Sequence, residues 1–135
     1  MKVLIVDNEY AVRALLKTLL MSYCSEVETI EEASSVREGR EAILKHAPDL
    51  VFLDVELGDG TGIELFQSFN VFPAKVIFIT AHDKYAIDAF KCSALDFLLK
   101  PIDPEELVMA VKKASELSRI KDLESQVAVL QSHLS

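Results

Sequence analysis

The chain has 135 residues, the size of one domain, and is 50% hydrophobic and 27% charged, a globular balance that argues against disorder. A domain this long buries about two thirds of its unfolded surface and holds a core without disulfide or metal staples. Lys and Arg number 14 against 22 Asp and Glu, a net charge of -8, which argues against direct binding of nucleic acid or anionic membrane by these residues.

In chain order, the opening MKVLIVDNE predicts a strand over Val3 to Val6, stopped by Asp7 well short of a signal-peptide core. Ala11 to Tyr23 carries Val12, Leu15, Leu16, Leu19 and Leu20 at helical spacing. Val27 to Ile30 is a weaker strand, interrupted by acids. Ser35 to His46 predicts a helix with Ser35 as N-cap and Glu38 three residues later, a capping-box pattern. Leu50 to Leu53 and Val76 to Ile79 are apolar strands, with a short helix over Ile63 to Phe69 between them. A further short helix over Ala86 to Cys92 leads to a strand over Leu95 to Leu99. Asp103-Pro104-Glu105-Glu106 then opens the last helix, with Asp at the N-cap, Pro next and acids in the first turn. No run approaches the ~18 apolar residues of a membrane span. Cys24 and Cys92 stand far apart in no metal-binding spacing, as reduced thiols of a cytoplasmic protein do.

Strands that are almost continuously apolar are covered on both faces. Five strands, all but the second of that kind, alternating with helices specify an α/β fold: a doubly wound, five-stranded parallel sheet of order 2-1-3-4-5, the flavodoxin-like architecture, with an extended C-terminal helix. Its site is expected at the carboxyl ends of the strands. In the tail, Ile120, Leu123, Val127, Leu130 and Leu134 repeat at spacings of three and four, an a/d stripe that continues past the predicted fold and points to a parallel two-stranded coil. The bland alternative is a helix end packed on its own domain.

The predicted strand ends carry Asp7, Asn8 and Glu9 after the first, Asp54 after the third, Thr80 after the fourth and Lys100 after the fifth. Singly, each reads as a solvated loop residue or a helix cap. Together they supply two acids, a hydroxyl and an ammonium to one crevice. Asp7 and Asp54 concentrate negative charge, which calls for a cation between them, and oxygen ligands suit Mg²⁺. A metal, a lysine and a hydroxyl around a carboxylate meet the needs of phosphoryl transfer, with Asp54 as the nucleophile that forms an aspartyl phosphate. Neither GxxxxGK[ST] nor GxGxxG occurs, so no nucleotide substrate is indicated.

The segments VDNE, FLDVELGDGTGIEL, FITAHD and ALDFLLKPI occur in an order and spacing that resembles the receiver domain of bacterial two-component response regulators. YAIDAFKCSALDFLLKPI further resembles the LytTR-type subfamily. The resemblance implies a receiver domain over residues 1–118 and an amphipathic helical linker over 119–135, leading to an output domain beyond this sequence. It implies that Asp54 is the phospho-acceptor and that Asp7 and Asn8 form the metal-binding pair, with the backbone carbonyl of Glu56 as a further ligand. Thr80 and Lys100 would bind the phosphoryl group, Phe97 would be the aromatic switch, and Lys100-Pro101 would be a cis peptide. One departure stands out: the second acid of the pair is usually Asp, and Asn8 ligates without charge, so weaker metal binding is expected unless Glu9 or Glu56 compensates.

The implied donor is a sensor histidine kinase or phosphotransfer protein, docking on the first helix beside the loop after the fifth strand, near Val12, Leu15, Ile102 and Pro104. A homodimer is expected through the fourth helix, fifth strand and fifth helix, or through the C-terminal helix, with DNA reached only through an output domain. Two rival readings stay open. One is a degenerate receiver that binds partners without phosphorylation, prompted by Asn8. The other is an aspartyl-phosphate phosphatase of the haloacid dehalogenase type, against which stand Glu56 at the position two after Asp54 and the place of Asp54 on the third strand.

Overall fold

The computed structural model describes residues 1–85, 88–89 and 94–134. The elements run β1 (Lys2–Val6), α1 (Tyr10–Tyr23), β2 (Thr29–Ala33), α2 (Val36–His46), β3 (Leu50–Asp54), α3 (Gly62–Gln67), β4 (Lys75–Thr80), a single 3₁₀ turn (Asp83–Tyr85), β5 (Asp96–Leu99) and α4 (Pro104–Leu134). The sheet order is β2-β1-β3-β4-β5, and every pairing is parallel. This is the expected doubly wound sheet.

Side-chain alternation along the strands builds two cores, one on each face. Val3 and Ile5 of β1, Leu50 and Phe52 of β3 and Ile77 and Ile79 of β4 pack with Leu16 and Leu20 of α1 and Leu107 and Val111 of α4. Their neighbours Leu4, Val6, Val51, Leu53, Val76 and Phe78 pack on the other face, with Ile43 of α2 and Leu65 of α3. All five residues of β3 are buried, as suits the middle strand of the sheet.

The second strand lies further along the chain than its apolar pattern indicates, at Thr29–Ala33 rather than Val27 to Ile30. It is an edge strand, paired with β1 alone, so Glu31 and Glu32 can stand opposite Leu4 and Ile5 with their side chains toward water. Glu32 accepts a 3.2 Å hydrogen bond from Arg13 Nε and lies 4.0 Å from Lys17 Nζ on α1. Backbone pairing to β1, and not burial of side chains, defines this strand.

Helix termini follow local chemistry. Ser35 Oγ accepts from the Glu38 N–H at 3.0 Å, as the capping pattern requires. The return bond of the box goes one residue early, because Glu38 Oε1 accepts from Ser34 N–H and Oγ–H. The Thr61 hydroxyl caps α3 by accepting from the Glu64 N–H, so that helix begins at Gly62 and ends at Gln67. Asp103 opens α4: its Oδ1 accepts from the Glu105 N–H at 2.9 Å, and its carbonyl from the Leu107 N–H.

The helix expected over Ala86 to Cys92 falls largely outside the described residues, as does the thiol of Cys92. Cys24 is a buried free thiol, and burial, with the Glu26 charge, pushes its pKa up. No helix among the described residues is long and apolar enough to cross a membrane. Replacing the α4 cap, Asp103→Ala, removes one charge-assisted bond and is expected to cost about 1 kcal/mol. Urea unfolding checks this through a lower midpoint with an unchanged slope.

Candidate functional site

A parallel sheet delivers all its carboxyl ends to one edge. Asp7 follows β1, Asp54 ends β3, Thr80 ends β4 and Lys100 follows β5. The Lys100 Nζ lies 3.0 Å from Asp7 Oδ2, 3.1 Å from Glu9 Oε1 and 3.3 Å from Asp54 Oδ2. Asp7 is 0% exposed, Asp54 3% and Thr80 1%. A lysine brought from 46 residues away along the chain thus bridges acids from two different strands.

Asp7, Asp54 and Thr80, the buried polar side chains among the described residues, share one local device. Asp7 Oδ1 accepts from the Glu9 N–H at 2.8 Å, Asp54 Oδ1 from the Glu56 N–H at 3.1 Å, and Thr80 Oγ1 from the His82 N–H at 3.2 Å. Each bonds the backbone two residues on, which fixes the side chain and turns the chain away from the sheet. Arg13 Nη1 anchors the same turn by donating to the Asp7 carbonyl. The other oxygen of each acid faces Lys100. Asp7 Oδ2 is buried and receives no directed hydrogen bond from the described residues, although the Lys100 ammonium stands 3.0 Å away as a charge contact. An oxygen in that condition suits a further cation.

Burial, followed by the charge of Asp7, pushes the Asp54 carboxyl up to about 6, against the opposing pull of the Glu56 N–H and Lys100. For Lys100, burial alone would lower the ammonium; the Asp7, Asp54 and Glu9 carboxylates outweigh it and hold Lys100 above the usual range.

The loop after Asp54 depends on Gly62, a residue that the strand and helix patterns do not single out. A Cβ on Gly62 would lie 2.3 Å from the Asp54 carbonyl oxygen and 2.9 Å from Leu53 Cγ, so no other residue fits there without moving the strand. The Gly62 N–H donates to the Val55 carbonyl at 2.9 Å, and Glu56 bridges to Thr61, folding the loop back against the end of β3. Gly58, with φ of +80°, turns the chain within that loop. The three glycines of LGDGTG were the available signal.

The structure therefore brings Asp7, Asp54, Thr80 and Lys100 to one strand-end crevice. Asn8 is exposed at its rim, and the carboxylate that turns inward is that of Glu9. Ligand oxygens of Asp7, Glu9 and Asp54 lie within 4.8 Å of one another, close enough to hold a metal ion. The Glu56 side chain is exposed at the mouth, 3.5 Å from His82 Nε2. Phe97 pairs with Phe78 across β4 and β5 and is half-buried against the second core, three residues before Lys100. The Lys100-Pro101 peptide is cis, as expected.

A doubly wound sheet with an acid pair, a hydroxyl and a lysine at its strand ends defines a receiver-type fold, and solved receivers share it. The signal receiver domain of a LuxO repressor protein from Vibrio parahaemolyticus superposes with a TM-score of 0.81 at 28% identity, over 90% of this chain and 95% of that one. The REC domain of AraT, a response regulator from Geobacillus stearothermophilus, gives 0.77 at 30% identity, over 89% and 97%. Residues 3–112 match the sequence profile of the response regulator receiver domain, and the chain belongs to that family. It is 41% identical to the sensory transduction protein LytT of Bacillus anthracis over 133 residues, 97% of this chain and 52% of that protein. It is 40% identical to the transcriptional regulatory protein LytR of Staphylococcus aureus strain MW2 over 131 residues, 96% and 52%. The resemblance to the LytTR-type subfamily is thus borne out, and the chain spans about half the length of these relatives.

The raised pKa of Asp54 has a consequence for stability. In the unfolded chain Asp54 ionises near its ordinary value, and in the folded chain only at about 6, so the folded form binds the proton more tightly between those limits. That stability is present in acid and is lost as pH rises through 6. Without divalent cations, Asp54→Asn is expected to stabilise the domain by about 2 kcal/mol at about pH 7.5 and by much less at about pH 4.5. Urea unfolding of both proteins in a chelating buffer checks it.

Proposed function

We infer that the chain is a phospho-accepting switch of a two-component pathway, with Asp54 as the acceptor. The observation that carries this reading is the buried Asp54 carboxylate, 3.3 Å from the Lys100 ammonium, with Thr80 on the adjoining strand end. In the reaction, an Asp54 carboxylate oxygen attacks the phosphorus of a phosphohistidine. The P–O bond forms as the P–N bond breaks, and the electron pair leaves with the imidazole nitrogen. The Lys100 ammonium and the Thr80 hydroxyl bind phosphoryl oxygens and stabilise their charge. Asp54 ionises near 6, so it is an anion, and hence a nucleophile, at neutral pH. The chain turns over no external substrate beyond phosphorylating itself from small donors and hydrolysing its own acyl phosphate.

Asp7 and Asp54 would hold Mg²⁺, with the Asn8 amide oxygen and the Glu56 carbonyl completing the protein ligands, and the buried Asp7 Oδ2 fits that role. When bound, Mg²⁺ neutralises charge on the phosphoryl oxygens. Glu9 supplies the negative charge that Asn8 lacks, since its carboxylate already stands beside those of Asp7 and Asp54. Lys100 Nζ, which stands among the carboxylates of Asp7, Glu9 and Asp54, would be shared between them and the phosphoryl oxygens.

Phosphorylation draws Thr80 toward the new oxygens, and Phe97 turns inward behind it. This changes the surface formed by β5 and α4. A sensor histidine kinase or phosphotransfer protein docks on α1 beside the β5–α4 loop, where Leu15 is 45% exposed and Val12 half-buried. The functional unit is residues 1–118 with 119–135 as a helical lead. The profile match to residue 112 supports this, as does the bond from Lys75 Nζ to Ser118 Oγ. Control of transcription, in the cytoplasm, belongs to a DNA-binding part of the whole protein outside these residues, and a homodimer serves it.

Phosphoramidate with Mg²⁺ is expected to shift the chain on a phosphate-affinity gel, Asp54→Asn to abolish the shift and Lys100→Ala to reduce it at least tenfold. Unchanged labelling of Asp54→Asn overturns the reading. If no labelling occurs, and beryllium fluoride with Mg²⁺ gives no response, Asn8 has left a receiver that works without phosphorylation. Titration calorimetry tests the role of Glu9: Glu9→Gln weakens Mg²⁺ binding about tenfold, and Glu56→Gln, whose carboxylate stands beside His82 and outside the Asp7, Glu9 and Asp54 cluster, does not.

A further inference from the structure

α4 changes faces where it leaves the domain. As far as Ser118, which accepts a 2.9 Å hydrogen bond from Lys75 Nζ, its inward side is Leu107, Ala110, Val111 and Ala114, all buried against the sheet. The next apolar set is Ile120, Leu123, Val127 and Leu130. At about 100° per residue it lies about 180° round the helix from that face, so it cannot extend the same packing. These four side chains are 41, 47, 50 and 61% exposed, respectively. A helix face of this kind buries itself only against something outside the domain.

The residue types say what that something is. Ile120 and Val127 occupy a positions of a heptad, and Leu123 and Leu130 occupy d positions. β-branched residues at a with Leu at d select two parallel strands. The preceding a and d positions are Lys113 and Glu116, so the seam opens at Ile120, where the helix has cleared the domain. Charge agrees with the parallel arrangement. Arg119 is at g and Glu124 at the following e, the two positions that meet across a parallel pair, and they carry opposite signs. Arg119 pairs instead with Glu116 of its own helix, but both are well exposed, so the exchange costs little. The next such pair, Gln126 and Gln131, is neutral and brings no repulsion.

We propose that residues 120–134 join the same segment of a second copy in a parallel two-stranded coiled coil. α4 runs back from the carboxyl end of β5, so the coil projects from the end of the sheet opposite Asp54. The crevice stays open to a phosphodonor in the dimer. The seam holds about two heptads, so association is weak and concentration-dependent. This goes beyond the phospho-acceptor reading and does not depend on it, since none of these residues touches the crevice.

Sedimentation equilibrium of the whole chain, from about 1 µM to about 1 mM, tests the proposal. The expected mass rises from one copy to two across that range. Val127→Glu, an exposed substitution, is expected to stay at one copy while keeping the wild-type thermal unfolding midpoint. Orientation is read by Ile120→Cys in a Cys24→Ala, Cys92→Ala background. Equivalent a positions face each other only in a parallel pair, so this variant forms a disulfide with its own copy under mild oxidation. A one-copy mass at every concentration overturns the proposal. So does a dimer that survives Val127→Glu, or an Ile120→Cys variant that dimerises without cross-linking.

Discussion

One half-buried ammonium governs the chemistry of this domain. Asp7 and Asp54 stand at the ends of neighbouring strands, both out of water, and like charges so placed repel. Lys100 sits within 3.3 Å of both and of Glu9, and it is the cation that makes the arrangement tolerable. The neutralisation is incomplete. Asp7 Oδ2 keeps no directed hydrogen bond, and Asp54 still ionises only near 6. A site balanced in this way suits a further cation.

The rest of the fold maintains that geometry. The register of β1 on β3 and β3 on β4 brings the two acids and Thr80 to one edge, and apolar packing on both faces of the sheet fixes the strands. The turns after β1, β3 and β4 each use the same side-chain-to-backbone bond two residues on, so Asp7, Asp54 and Thr80 are oriented by their own loops. Gly62 allows the loop after β3 to close against the Asp54 carbonyl without displacing the strand. At the far end of the last helix, apolar residues that the sheet does not use are left on the opposite side of α4.

Much of this was legible in the sequence because central parallel strands are apolar runs with polar residues at their ends. β1, β3 and β4 could be read directly, and with them the positions of Asp7, Asp54 and Thr80. β2 was misplaced because an edge strand carries acids on its wet side, and its pairing to β1 leaves no hydrophobic trace. The capping of α4 by Asp103 followed from local chemistry, whereas the bond from Ser34 to Glu38 depends on a backbone geometry that spacing does not specify. Asn8 marked a departure in charge, but only the fold shows that the inward carboxylate belongs to Glu9. The need for glycine at position 62 is a contact between two backbones, and no periodicity carries it.

The central claim is that the acyl phosphate forms on Asp54 and on no other acid of the crevice. Borohydride reduces an aspartyl phosphate to homoserine, so peptide mapping after phosphoramidate treatment and reduction reads the acceptor directly. Homoserine at position 54 alone is the predicted result. Homoserine at Asp7, or at neither position in a chain that has taken up phosphate, would contradict it.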